Sequence, residues 1–108
     1  MALNEGFRDF VLDQLHGLGQ FETRKMFGGV ALLYNGSAFA KIKHDKVWLK
    51  VDERNKNGFK EAGMMQYTYG KDNSRTLNFY ETPLEIIEDR GKFIEWAEES
   101  IKIASTSK

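Results

Sequence analysis

Two short turn signals, Asn35-Gly36 and His44-Asp45, constrain this chain more than anything else in it. Asn-Gly tolerates positive φ at both central positions, which is what a two-residue hairpin requires. His44-Asp45 reads as a second tight turn. Around them the hydrophobic period is two. The alternation predicts strands over Phe21–Phe27, Val30–Tyr34, Ser37–Lys43 and Lys46–Val51, with Gly28-Gly29 as a bulge or tight bend between the first two.

The turns predict registers, and registers sort side chains by face. A plain ladder from Asn35-Gly36 sets Leu33 opposite Ala38 and Ala31 opposite Ala40. His44-Asp45 sets Ile42 opposite Val47 and Ala40 opposite Leu49. Those small and aliphatic residues form one face, suited to helix packing. The other face then carries Val30, Leu32 and Tyr34, then Phe39, Lys41 and Lys43, then Lys46, Trp48 and Lys50. Lys41 falls opposite Trp48, placed for a cation–π contact, and Phe39 falls opposite Lys50. Such a mixed apolar and lysine-rich face reads as a contact surface for a second copy or another partner. The plainer alternative is a helix over its apolar half, with the lysines reaching past it to water.

Helices flank this β region. Asn4 is a candidate N-cap, followed by Phe7, Phe10, Val11, Leu15 and Leu18 at helical spacing. This predicts a helix over Asn4–His16, ended by Gly17 and Gly19. Asp52 is read as the cap of a short helix reaching Ala62, closed by Gly63. Met65–Tyr69 and Arg75–Tyr80 read as a further hairpin, ended by Pro83. Asp89 opens a last helix with Phe93, Trp96, Ala97, Ile101 and Ala104 on its core face, fraying after Ala104. The expectation is one α+β domain over residues 1–108. It has an antiparallel sheet of about five to six strands, N- and C-terminal helices and one short middle helix.

Charge is balanced overall, with 16 Lys+Arg against 16 Asp+Glu. Its distribution is not. Residues 21–60 are rich in Lys and Arg, whereas residues 81–100 carry Glu81, Glu85, Glu88, Asp89, Glu95, Glu98 and Glu99. The molecule reads as a dipole or as two solvated faces. The absence of cysteine excludes disulfides, thiolate nucleophiles and thiolate zinc sites. No apolar run reaches the ~18 residues of a membrane span, and Met1 to Asp9 has no signal pattern. A cytoplasmic location without membrane contact is expected.

Catalytic chemistry finds little footing. His16 and His44 have no evident carboxylate or nucleophile partner. Glu85, Glu88 and Asp89 read as a solvated acidic segment. Gly28-Gly29 leads into a strand and not into a helix N-terminus, so it does not form a phosphate cradle. No enzyme activity, cofactor or metal is expected. A pocket near Arg24, Lys25 and Tyr80 is the weakest reading. Aromatics interleaved with lysine keep a second one open, a module stacking single-stranded nucleic acid on Tyr34, Phe39 and Trp48.

Arg24-Lys25-Met26-Phe27-Gly28-Gly29 begins a recognisable pattern. It continues through Tyr34, Asn35-Gly36, Phe39-Ala40 and Val47-Trp48-Leu49-Lys50-Val51-Asp52. Beyond these come Phe59, Gly63, Tyr67, Tyr69, Tyr80-Glu81, Pro83, and the Asp89 helix with Trp96 and Ala97. The pattern resembles the N-terminal domain of the TfoX/Sxy family of bacterial competence regulators, over nearly the whole chain. The family-motif residues are Arg24, Met26, Phe27, Gly28 and Gly29. The resemblance implies a fold like that of secretion chaperones and a bacterial cytosolic protein. It implies a regulatory role in DNA transformation, with a transcription regulator as protein partner. It implies no enzymatic activity. Full-length regulators carry a second, C-terminal helical domain that these residues do not contain, so the chain reads as a stand-alone member or a fragment. A homodimer through the sheet face of Leu32, Tyr34, Phe39 and Trp48 is expected, and direct nucleic-acid contact is left open.

Overall fold

Both predicted turns adopt the left-handed backbone that a two-residue hairpin needs. Asn35 and Gly36 have φ of 51° and 83°, and His44 and Asp45 have 58° and 56°. In the computed structural model, which describes residues 5–26 and 28–106, these turns organise β1 (Glu22–Met26), β2 (Gly29–Tyr34), β3 (Ser37–Lys43) and β4 (Lys46–Lys50). The strands β5 (Gln66–Tyr69) and β6 (Arg75–Glu81) complete an antiparallel sheet in the order β1-β2-β3-β4-β6-β5. Phe27 and the Asn4 cap lie outside the described residues.

Helices α1 (Glu5–Gln14), α2 (Lys56–Glu61), α3 (Leu84–Glu88) and α4 (Arg90–Thr106) accompany the sheet. Helix α4 crosses β3 and β4, while α1 and α3 pack beside it. The main core lies between this layer and the sheet. Val11, Leu15, Ile87, Phe93 and Ala97 meet Leu32, Ile42, Val47 and Leu49 there. Burial of each large side chain contributes about 1.5–3 kcal/mol. One hydrogen bond ties the helix layer to the sheet, and a second, buried one ties α1 to α3 within the helix layer. The Ser100 hydroxyl donates to the Lys50 carbonyl at 2.8 Å, and the Gln14 amide donates to the Ile87 carbonyl at 2.9 Å.

Several expectations shift locally. Helix α1 stops at Gln14, and His16–Leu18 tightens into one turn of 3-10 helix before Gly19 (φ 86°). Asp52 does not cap a helix directly. Its carboxylate accepts the Arg54 N–H at 2.8 Å and pairs with the Arg54 guanidinium at 2.7 Å, and α2 begins only at Lys56. Those bonds hold the Asp52 carboxyl below its usual range. Asp89 does cap α4, accepting the Lys92 N–H at 3.2 Å. Glu85, Glu88 and Asp89 are exposed, as a solvated acidic segment requires, and the segment also winds into α3 after Pro83 and buries Ile87, which the sequence reading did not include.

The largest departure is in β3. Leu33 pairs with Ala38 as expected, but Leu32 pairs with Ala40, Ala31 with Lys41 and Val30 with Ile42. Phe39 is an extra residue in β3, a β-bulge. Beyond it, the faces of β2 exchange relative to the plain ladder. Val30, Leu32 and Phe39 are therefore core residues under the helices, and Tyr34 packs against that core from its edge. The Ala31–Ala40 pairing and the outward face of Val30, Leu32, Tyr34 and Phe39 are corrected by this one insertion.

One buried polar group has no match. The Thr82 hydroxyl is enclosed and makes no hydrogen bond among the described residues. Replacing it by a methyl removes an unsatisfied dipole at nearly constant shape. Thr82→Val is expected to raise unfolding stability by about 1 kcal/mol. A lower urea midpoint for the variant would show that the hydroxyl is satisfied in solution.

Candidate functional site

The sheet has one face without helices, and its chemistry follows from the registers. Along one cross-strand row stand Arg24 on β1, Ala31 on β2, Lys41 on β3, Trp48 on β4 and Glu81 on β6. Lys43 pairs with Lys46, and Lys50 with Phe79. Of the residues expected here, Lys41, Lys43, Trp48 and Lys50 are on this face, and Arg24 and Met26 of the motif join them.

Beneath the lysines lies a small second cluster of Trp48, Tyr67 and Phe79, edged by Leu77. Trp48 and Tyr67 meet edge to face, with centroids 5.0 Å apart. The Trp48 indole N–H donates to the Lys43 carbonyl at 3.2 Å, which fixes the ring against β3. Register places Lys41 opposite Trp48 as predicted, but its ammonium stands over another ring. Lys41 Nζ and Lys50 Nζ lie 5.1 and 5.2 Å from the Phe79 centroid, and Lys43 Nζ lies 5.9 Å from that of Tyr67. Each such contact contributes about 0.5–1 kcal/mol. Tyr67 and Phe79 come from the second hairpin. Sequence reasoning missed them because nothing local indicates that β6 pairs with β4.

The lysine stems cover the rings. Trp48 is 9% exposed, Tyr67 6% and Phe79 5%. Stacking of nucleic-acid bases needs open ring faces, and these are closed. What the face presents to solvent is positive charge. Lys46 pairs with Glu81 at 3.5 Å. Arg24, Lys41, Lys43 and Lys50 form no ion pair with a carboxylate among the described residues. The exposed Glu95 and Glu98 belong to α4, on the other side of the sheet. The lysines of β3 and β4 thus stand on the open face, while Lys25, Arg54, Lys56 and Lys60 of the same basic stretch do not.

Holding the Lys41 ammonium here is disfavoured first by its partial burial and then by its like-charged neighbours. Partial burial of Lys41, and then the nearby Lys43 and Lys50, lower its pKa below the ordinary 10.5. The native state therefore holds this proton less tightly than the unfolded chain. The penalty is complete below the lowered folded value and vanishes as pH rises towards 10.5. Lys41→Met keeps most of the stem and removes the charge. Its urea midpoint is expected to exceed that of the wild type at neutral pH, with the gap closing in alkali. Equal midpoints at neutral pH would contradict this.

Other candidates do not assemble. Arg24 is on the open face, whereas Lys25 pairs with Val30 and lines a cleft on the helix side with Glu5, Arg8 and Asp9. Tyr80 packs on Phe59 in the helix-side core, four strands from β1. Gly28 turns with φ 75° and Gly29 opens β2, so the glycine pair shapes backbone. His44 occupies its turn, and His16 is exposed beyond α1. Among the described residues no group of three or more His, Asp or Glu side chains is placed to hold a metal. No helix there is long and apolar enough to cross a membrane.

Comparison with known proteins agrees with the motif. A family model for the TfoX N-terminal domain matches residues 13–104. No curated protein matches the chain. The matched span runs from the end of α1 into the last turns of α4 and contains all six strands, and the chain belongs to the TfoX N-terminal domain family.

Proposed function

We propose that this chain is a non-enzymatic regulatory domain that docks a protein partner on the open face of its sheet. The observation that carries the reading is the trio Lys41, Lys43 and Lys50, held over a closed aromatic layer without carboxylate partners among the described residues. A solvated sheet face has no need of three large rings beneath its lysines, and the rings hold those cations in place. Family membership supports a regulatory role tied to competence for DNA uptake, with a transcription regulator as partner and the bacterial cytoplasm as its place of action.

A symmetric dimer through this face is opposed by charge. It would set each copy's lysines against the other's, and like charges across an interface disfavour pairing. The face suits a heterologous partner.

The test is capture from the native host's lysate with wild type and with Lys41→Glu/Lys43→Glu, alongside transcript profiling of a strain carrying the variant. The variant is expected to keep the wild-type circular dichroism, lose a specific bound protein and alter expression of uptake genes. An identical bound set and unchanged transcripts would refute docking through this face.

A further inference from the structure

The open face carries more positive charge than the fold uses. One cation of this face is paired, Lys46 with Glu81, and Glu22 stands two residues from Arg24 on the same face of β1 with no ion pair among the described residues. Arg24, Lys41, Lys43 and Lys50 are left as cations without a carboxylate partner among the described residues, spread over β1, β3 and β4. Lys41 lies between the other two lysines and two strands from Arg24, with only Ala31 between them. Three of the four are steadied over rings, so little of their side-chain freedom remains to be lost on binding.

We infer that this array recognises an acidic, extended protein segment, one whose alternate residues are Asp or Glu. The inference rests on the docking role proposed above and adds the chemistry of the partner. Spacing supports it. Lys41 and Lys43 are alternate residues of one strand, so their backbones stand about 6.4–6.8 Å apart on the same face. An extended chain repeats its own side chains at that interval. A segment laid along β3 with acids at alternate positions would meet Lys41 and Lys43 in step, with Lys50 and Arg24 flanking it. Nucleic acid fits less well. The rings are closed to stacking, the net charge is zero, and Glu81 stands on the same face at the end of the Arg24 row.

The experiment is NMR titration of the labelled full chain at low salt with three probes. They are a synthetic peptide alternating Glu with Ser, its counterpart with Gln for Glu, and a single-stranded oligonucleotide of the same formal charge. The acidic peptide is expected to shift the amides of β3 and β4 and the Trp48 indole N–H, which is bonded to Lys43. The Gln peptide should shift nothing. Affinity should fall about tenfold in Arg24→Gln/Lys41→Gln/Lys43→Gln, since three weak, solvent-screened pairs are lost together. Lys41→Arg/Lys43→Arg should retain binding, which separates charge from folding. Absence of shifts, shifts confined to the helix layer, or tighter binding of the oligonucleotide would overturn the inference. If the peptide fails while lysate capture still depends on Lys41 and Lys43, the docking role stands and only the acidic partner is refuted.

Discussion

Phe39→Ala is expected to cost about 3–5 kcal/mol of unfolding free energy, the range for truncating an enclosed aromatic. Phe39 is 0% exposed, beneath the helices, with Phe21 edge-on at 6.0 Å. Domains of this kind have a total stability of about 5–15 kcal/mol, so the loss would leave a marginal fold. The measurement is the urea midpoint with the slope held in common. The result also decides the register. In an unbulged β3, Phe39 would stand on the open face, and truncation there would cost under about 1 kcal/mol. A small effect would therefore remove the bulge and return Phe39, Leu32 and Val30 to the solvent side.

Gly29→Ala is expected to be nearly as damaging, by about 2–4 kcal/mol. A Cβ at this position would sit 2.4 Å from the Ile42 carbonyl oxygen and 3.1 Å from Lys43 Cβ. The oxygen belongs to the strand paired with β2, so relief requires the ladder to part. Gly28 differs in kind. Its φ of 75° disfavours a side chain, but the nearest neighbour of an added Cβ is the flexible Lys43 Cε at 3.5 Å. Gly28→Ala should cost only the left-handed penalty of about 1–2 kcal/mol. Thermal unfolding of the two variants should rank them in that order. Equal losses would mean that backbone conformation alone, and not close strand approach, explains the glycine pair. Gly29→Ala should also displace Lys43 and so disturb the open face.

Much of this architecture is legible in the chain because its signals are local. Asn35-Gly36 and His44-Asp45 carry positive-φ chemistry in adjacent residues, and the β3–β4 register follows from the second turn as far as Ala40–Leu49; the expected Phe39–Lys50 pairing is lost at the bulge, which turns Phe39 into the core. Asp89 announces α4 by the same kind of local bonding. The bulge at Phe39 leaves no such mark. Ala38-Phe39-Ala40 alternates like any strand, and only the demand of the helix layer for one more large side chain distinguishes the two registers. The surface was half legible for that reason. Lys41, Lys43, Trp48 and Lys50 depend on the β3–β4 turn and are where alternation puts them. Val30, Leu32, Tyr34 and Phe39 depend on an unbulged β3 and are not. Tyr67 and Phe79 depend on β6 pairing with β4, a long-range choice made across α2 and β5. Helix α3 was hidden by Glu85 and Glu88, whose charge masked the single buried contact of Ile87.

The lysine face gains its meaning from what lies on each side of it. Below, three rings are closed off, and two of them, Phe79 and Tyr67, hold the lysine ammoniums. Across the sheet, α4 directs Glu95 and Glu98 away from it. The molecule therefore offers one positive surface in a neutral whole, which favours a short, local acidic contact over a long polyanion. Lysine footprinting tests this most directly. Amine acetylation is compared between the free chain and the chain in native-host lysate, with site occupancy read by mass spectrometry. Lys41, Lys43 and Lys50 are predicted to lose reactivity in lysate, while Lys71 and Lys92 react as before. Unchanged reactivity of the three, with protection falling instead on Lys92 or Lys102 of α4, would contradict the assignment of the open face as the docking surface.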